Sequence, residues 1–275
     1  MTVKRPPSDR IRLVVSDIDG TLVPQDKRVT PDVLAAAAAL RKAGIALCLV
    51  SSRGPVGMQP FLGPLGIDRP IAALNGGLIC TPDGKIMSRH SLAPETTREA
   101  VEELLSRDVD PWLFIDYDWL VRDGDTAQVR HEATVVKTVP VVAPDLSHHY
   151  DGVGKIMGVS TDVAQLRTVE RELSVQLAGR ANVHRSSEWL VDVTHPLANK
   201  GHAARELAAL MGIEIHEVAC IGDMNNDIPM LDVAGVAIAM GNAPAEVQKH
   251  AHFVTDANTH DGWARAMERF VLPRA

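Results

Sequence analysis

The sequence predicts a doubly wound, Rossmann-like α/β core built on a parallel sheet, with an α+β cap domain inserted into it. Three observations carry that expectation. Short apolar runs without polar alternation recur near both ends of the chain, as in strands buried on both faces. Helical segments with recognisable start and stop residues separate most of them. In the middle of the chain that alternation gives way to a different succession of helices and strands.

Taken in order, "IRLVVS" (11–16) is the first buried strand. "TPDVLAAAAALRKAG" follows as a helix, with Thr30 as N-cap, Pro31 in the first turn and Gly44 as the stop. "IALCLVSS" (45–52) and "RPIAALN" (69–75) are the next two strands. Gly76-Gly77 and the turn "TPDG" at 81–84 mark the exit from the core. Within the insertion, "APETTREAVEELLSRD" reads as a helix, "PWLFIDYDWLVRD" as strand-like, and "STDVAQLRTVERELSVQL" as a second long helix. "DVTHPLANKG" marks the return. "KGHAARELAALMG" is then a helix ending at Gly212, followed by strands "EVACIGD" (217–223), "GVAIAMGN" (235–242) and "HFVTD" (252–256). "NAPAEVQKHA" and "DGWARAMERFV" supply the last helices. The expected division is a core of 1–84 and 191–275 with a cap of 85–190.

Composition narrows the function classes. The 275 residues are 45% hydrophobic, enough for a substantial core and two structural units. A net charge of -7 gives no overall basic field for nucleic acid. Cys48, Cys80 and Cys220 stand singly, without C-x-x-C spacing, and read as small buried or half-buried side chains in a reducing compartment. The opening "MTVKRPPSDR" has no apolar signal core, and no run approaches eighteen apolar residues. A soluble cytoplasmic protein with no membrane partner is expected, monomeric or homodimeric.

The candidate chemistry lies at the strand exits, where open α/β sheets bind ligands. Asp17 and Asp19 follow the first strand, and a carboxylate there acts as nucleophile or metal ligand. Gly20 permits a tight turn, and the Thr21 hydroxyl is expected to bond back to its own loop. Ser51 and Ser52 end the second strand, where hydroxyls and N–H groups serve either to hold phosphoryl oxygens or as ordinary turn and N-cap groups. Lys200 opens a helix whose dipole disfavours a cation, which a nearby anion would explain. Asp223, Asn226 and Asp227 crowd a third exit, with more carboxylates and amides than a helix cap requires.

This joint pattern resembles the haloacid dehalogenase-like hydrolase superfamily. "DIDGTL" looks like its first motif, Ser51 its second-motif hydroxyl, Lys200 its third-motif cation, and "GDMNND" its fourth motif. The insertion after the third strand, "ALNGG" and "DANTHDG" resemble the Cof-type branch with a large α/β cap. "SSR" at 51–53 departs from the Thr-Gly-Arg usual there, with Ser52 in place of glycine. The resemblance implies that Asp17 attacks phosphorus to form an aspartyl-phosphate, while Asp19 serves as acid and then base. It implies Mg2+ held by the Asp17 carboxylate, the Asp19 carbonyl and Asp223, with Asp227 orienting the metal shell and Asn226 a phosphoryl oxygen. Asp17, Asp223 and a phosphate dianion bring four negative charges, and Mg2+ with Lys200 returns three. Arg53 and Asn75, beside strand exits, are candidates to touch the leaving group, and Lys155 is a weaker one in the cap.

The expected activity is therefore hydrolysis of a small-molecule phosphate ester, sugar phosphates first and cofactor phosphates such as pyridoxal phosphate second. A phosphomutase shares the first half-reaction and differs in what accepts the phosphoryl group. A binding protein that has lost turnover would keep the fold, but every catalytic core position is filled. A receiver domain lacks D-x-D-G-T and an inserted domain. A P-type pump requires Lys-Thr-Gly-Thr after the nucleophile and a membrane. Trp112, Phe114 and Tyr117 fit either a sugar-facing surface or the cap core, and His148 and His149 fit a solvated loop.

Overall fold

The structure, a computed structural model, describes residues 6–136 and 138–275. These form two compact units, one of described residues within 6–52, 58–87 and 199–275, the other of those within 53–57 and 88–198.

In the first unit, apart from the start of α2 and the end of β5, β1 (Leu13–Ser16), α1 (Pro31–Lys42), β2 (Ala46–Leu49), α2 (Pro55–Leu65), β3 (Ile71–Ala73), β4 (Leu78–Cys80) and β5 (Ile86–Arg89) precede the insertion. In the second, α3 (Pro94–Ser106), β6 (Asp110–Ile115), β7 (Asp118–Val121), α4 (Ala127–Val136), β8 (Val141–Val142), β9 (Val153–Val159), α5 (Val163–Gln176), β10 (Asn182–Ser187) and β11 (Leu190–Thr194) follow. The chain then returns through α6 (Lys200–Leu210), β12 (Val218–Gly222), α7 (Ile228–Val233), β13 (Val236–Ala239), α8 (Ala245–Gln248), β14 (Phe253–Val254) and α9 (Gly262–Ala266).

The core sheet runs β14-β13-β12-β1-β2, every pair parallel. A parallel bridge from Val50 to Ala72 adds β3 beyond β2. Counting only these six strands along the chain, the spatial order is 3-2-1-4-5-6, the doubly wound arrangement with its switch point between β1 and β12. Strand alternation divides the core. Leu13 and Val15 pack with Ala203 and Leu207 of α6 and Leu231 of α7. On the opposite face the indole of Trp263 in α9 donates to the Ser16 hydroxyl at 2.9 Å. Local signals act as expected in α1, where the Thr30 hydroxyl accepts from the Val33 N–H and Pro31 opens the first turn.

The second unit is a six-stranded sheet ordered β10-β11-β9-β6-β7-β8. One face packs Leu113, Ile156 and Val193 against Val101 and Leu104 of α3 and Leu166 and Leu173 of α5. The other packs Trp112, Trp119 and Met157 against Val129 of α4. The expected crossings at 85 and 191 compare with unit boundaries after Met87 and Ala198. The second boundary lies later because Leu190–Thr194 pairs antiparallel with β9 and with β10, which holds it in the inserted sheet. His148 and His149 lie in a turn, with His148 exposed and 3.8 Å from Asp145.

Candidate active site

The switch point brings together loops that are far apart in sequence. β1 and β12 are neighbours in register, so their exits carry Asp17 and Asp223 out of the sheet side by side. The Ser16 hydroxyl donates to the Asp17 carbonyl at 2.7 Å, which with the Trp263 indole fixes the first exit from below. Gly20 adopts φ +87, and a Cβ placed there would meet the Asp223 carboxylate at 2.3 Å. Only glycine combines that left-handed turn with so close an approach. The Thr21 hydroxyl does not bond back to its own loop as expected. It donates across the switch point to Asp223 Oδ1 at 2.8 Å, tying the first motif to the fourth.

Asn199 caps α6 by accepting from the His202 N–H at 2.9 Å, which places Lys200 at the first helical position. The unfavourable dipole is answered as the sequence argument required. Lys200 Nζ donates at 2.6 Å to Oδ1 of both Asp17 and Asp227. Asp227 turns its other oxygen back to the N–H groups of Asp223 at 2.9 Å and Met224 at 2.8 Å. Glycine is again needed behind it, since a Cβ on Gly222 would come within 2.4 Å of the Asp227 carboxyl carbon.

Lys200 and Asp227 are sealed from solvent, and Asp17 and Asp223 are nearly so. One ammonium therefore faces three buried carboxylates. Burial pushes the Asp17 carboxyl up to about 7, with Lys200 opposing and Asp227 adding to the rise. Burial likewise pushes Asp223 up to about 6, against the Thr21 hydrogen bond. Burial also works against the Lys200 charge, but Asp17 and Asp227 outweigh it and hold the ammonium above the usual lysine range. The surplus is negative. Asp17, Asp223 and Asp227 each offer a carboxylate oxygen, all within 4.8 Å of one another. Hard oxygen donors with uncompensated charge fit a divalent cation of the Mg2+ or Ca2+ type.

The remaining sequence candidates distribute around this cluster. Asn226 donates to Asn75 Oδ1 at 3.1 Å, and the Asn75 N–H donates to the Ser51 carbonyl at 2.8 Å, so the second and fourth motifs are linked. Leu74 and Asn75 both take left-handed backbone conformations, at φ 52 and φ 57. Asparagine tolerates this and leucine does so only under strain, a feature concentrated at functional sites. Ser51 is buried and Ser52 half-buried at the β2 exit. Asp19 stands apart from the three-carboxylate cluster, its carboxylate accepting from Lys27 Nζ at 2.5 Å. Arg53 falls in the other compact unit, where its guanidinium donates to the Gly57 carbonyl at 3.0 Å. Lys155 is buried in that same unit.

Two site residues escaped the sequence reading. Asn242 donates to the Gly20 carbonyl at 2.9 Å and to Asp223 Oδ2 at 3.3 Å. It ends "GVAIAMGN", and the strand-exit rule applied to that run points to it. Lys27 has no such signal within "PQDKRVT".

The profile of the haloacid dehalogenase-like hydrolases matches residues 14–267, from the first strand through α9. The chain belongs to that family. A crystal structure of a haloacid dehalogenase-like hydrolase from Bacteroides thetaiotaomicron superposes with a TM-score of 0.86 at 29% identity, covering 94% of this chain and 99% of that one. Pyridoxal phosphate phosphatase YbhA of Escherichia coli is 26% identical, over 92% of this chain and 96% of its own. The Bacillus subtilis phosphatase YwtE, named for 5-amino-6-(5-phospho-D-ribitylamino)uracil, is 25% identical over 95% and 98%. This haloacid dehalogenase-like hydrolase is thus an enzyme of the Cof-type phosphatase branch. Among the described residues, no helix is long and apolar enough to cross a membrane.

Proposed function

We propose that this hydrolase is a Mg2+-dependent phosphomonoesterase that acts on sugar phosphates through an aspartyl-phosphate on Asp17. The observation that carries the reading is Lys200 bridging Asp17 and Asp227 beside Asp223, at the switch point of the sheet.

In the first half-reaction an Asp17 oxygen attacks phosphorus in line with the ester oxygen. The new Asp17–phosphorus bond forms as the phosphorus–ester bond breaks, and the Asp19 carboxyl gives its proton to the departing oxygen. In the second, the Asp19 carboxylate takes a proton from water while that water's oxygen attacks phosphorus. The Asp17–phosphorus bond breaks and inorganic phosphate leaves. Lys200 holds Asp17 in place and supplies positive charge to the phosphoryl oxygens, with Ser51 and Asn226 as their hydrogen-bonding partners. Asp17, the Asp19 carbonyl, Asp223 and Asp227 would hold Mg2+, which when bound offsets the repulsion between carboxylate and phosphate. Asp19 must turn from Lys27 to reach a leaving group, so its donor and acceptor duties follow a side-chain rotation. Arg53 and Asn75 are assigned to the leaving-group side.

Sugar phosphates rank first from the resemblance to Cof-type enzymes, and cofactor-related phosphates second, with relatives named as a pyridoxal phosphate phosphatase and a 5-amino-6-(5-phospho-D-ribitylamino)uracil phosphatase in support. The inserted unit is assigned to substrate selection. Cys48, Cys80 and Cys220 are buried and joined in no disulfide, which supports a reducing compartment, hence the cytoplasm. The test is release of 4-nitrophenol from 4-nitrophenyl phosphate with Mg2+ and with chelator. Turnover that needs Mg2+ and is absent from Asp17→Asn supports the assignment, and equal rates in wild type and Asp17→Asn refute it.

A further inference from the structure

The segment "DANTHDG" (256–262) takes no part in the phosphoryl chemistry above, yet it bonds to the loop that carries the first motif. Asp223 leaves β12, which lies between β1 and β13, and its carboxylate is gripped from both sides. From the β1 exit the Thr21 hydroxyl donates to Oδ1 at 2.8 Å, and from the β13 exit the Asn242 amide donates to Oδ2 at 3.3 Å. The same amide nitrogen donates to the Gly20 carbonyl at 2.9 Å. One side chain therefore touches both the Asp223 carboxylate and the turn that directly follows Asp19.

What orients Asn242 comes from the segment. The Asn258 N–H donates to Asn242 Oδ1 at 2.9 Å. An amide accepts at one end and donates at the other, so occupying the oxygen aims the nitrogen at Gly20 and Asp223. The Asn258 side chain donates in turn to the Val23 carbonyl at 3.2 Å, which also accepts from the Gly20 N–H at 3.1 Å. Three residues further on, Asp261 Oδ1 accepts from the Thr30 hydroxyl at 2.6 Å. The segment holds the chain at Val23 and at Thr30, the two ends of the stretch that carries Lys27. It is itself braced, since the Thr255 hydroxyl donates to the Gly262 carbonyl at 2.7 Å and Asp256 accepts from Arg265 at 3.0 Å.

The last torsion of an aspartate is soft, so a carboxylate without fixed partners turns readily. Its two oxygens offer about four acceptor sites. Thr21 and Asn242 take one on each oxygen, which sets the plane of Asp223 and leaves acceptor capacity for a cation. We propose that Asn242 and Asn258 are positioning residues for the divalent cation, locking Asp223 and the Asp19 turn in one fixed relation. Neither amide is assigned a contact with the phosphoryl group. Partners that orient metal ligands in this way typically contribute about 10–100-fold to metal affinity.

This inference rests on the metal role proposed above, and its test separates the two. The Mg2+ Kd is read without substrate, from the melting temperature of the full chain against Mg2+ concentration. Asn242→Ala is expected to raise that Kd about tenfold or more, and Asn258→Ala severalfold. At saturating Mg2+ the kcat on 4-nitrophenyl phosphate is expected to return close to wild type in both. Gln248→Ala removes a bond to the adjacent Ala243 carbonyl and none to Asp223, and is expected to leave the Kd unchanged. Urea midpoints verify folding, and Asn258→Ala carries the test if Asn242→Ala does not fold. Folded variants with the wild-type Kd, or an equal rise in Gln248→Ala, overturn the positioning role and leave the metal site standing. A wild type that binds no Mg2+ overturns the metal role and the positioning role with it.

Discussion

Lys200 Nζ reaches Asp227 Oδ1 at 2.6 Å with both side chains closed off from solvent, and it makes an equal bond to Asp17. The pair holds the third and fourth motifs in one electrostatic unit. Removing one member of a buried ion pair leaves the other uncompensated, typically at about 3–5 kcal/mol. Lys200→Met is therefore expected to unfold at markedly lower urea concentration than wild type, as well as losing turnover. An unchanged urea midpoint would show that the carboxylates are neutralised in some other way.

Thr21 is tied to Asp223 rather than to its own loop. A hydrogen bond to a charged group contributes about 1.5–3 kcal/mol. Thr21→Val keeps the shape and removes the donor, so a loss of that size is expected in chemical denaturation. Thr21→Ser, which keeps the hydroxyl, is expected to recover most of it.

Gly20 has no room for a side chain. Its φ of +87 and the 2.3 Å approach to Asp223 both oppose substitution. Gly20→Ala is expected to destabilise by roughly 1–3 kcal/mol from overpacking, with further strain from the left-handed backbone. A thermal midpoint equal to wild type would mean that the two loops do not meet as described.

Three buried carboxylates against one ammonium should make the fold respond to a divalent cation. At about a hundred times its Kd, a ligand specific to the native state adds about 2.7 kcal/mol. Mg2+ is expected to raise the melting temperature, and Asp223→Asn to remove most of that rise. A melting temperature indifferent to Mg2+ contradicts the proposed metal role.

Cys48 lies in the interior of β2, and burial pushes its thiol up to about 12. With Cys80 and Cys220 also buried, a thiol reagent at pH 8 is expected to label the native protein negligibly and all three sites after denaturation. Rapid native labelling at Cys48 would place it outside the core.

The core was legible because its signals are local and its strands are buried on both faces. The runs at 11–16, 217–223 and 235–242 each correspond to a strand of the parallel sheet. α2 went unread because Pro60 and Pro64 interrupt its pattern, although it forms as Pro55–Leu65. α4 is short and mixed in polarity, and its one fully buried residue, Val129, gives no periodic stripe. At the site, residue types at strand exits identified Asp17, Lys200, Asp223 and Asp227. A bond that crosses the chain, such as Thr21 to Asp223, leaves no local trace. The run "LVDVT" reads the same in either sheet, and only its pairing with β9 and β10 decides its membership.

The proposed mechanism turns on phosphorylation of Asp17 itself. Protein mixed with 4-nitrophenyl phosphate and Mg2+, quenched within one turnover and treated with borohydride, would have an acyl phosphate reduced to an alcohol. Conversion of Asp17 to homoserine, read by mass spectrometry of its peptide, is expected, with no conversion without substrate. Reduction at a different residue, or none at Asp17 while 4-nitrophenol is released, would contradict it.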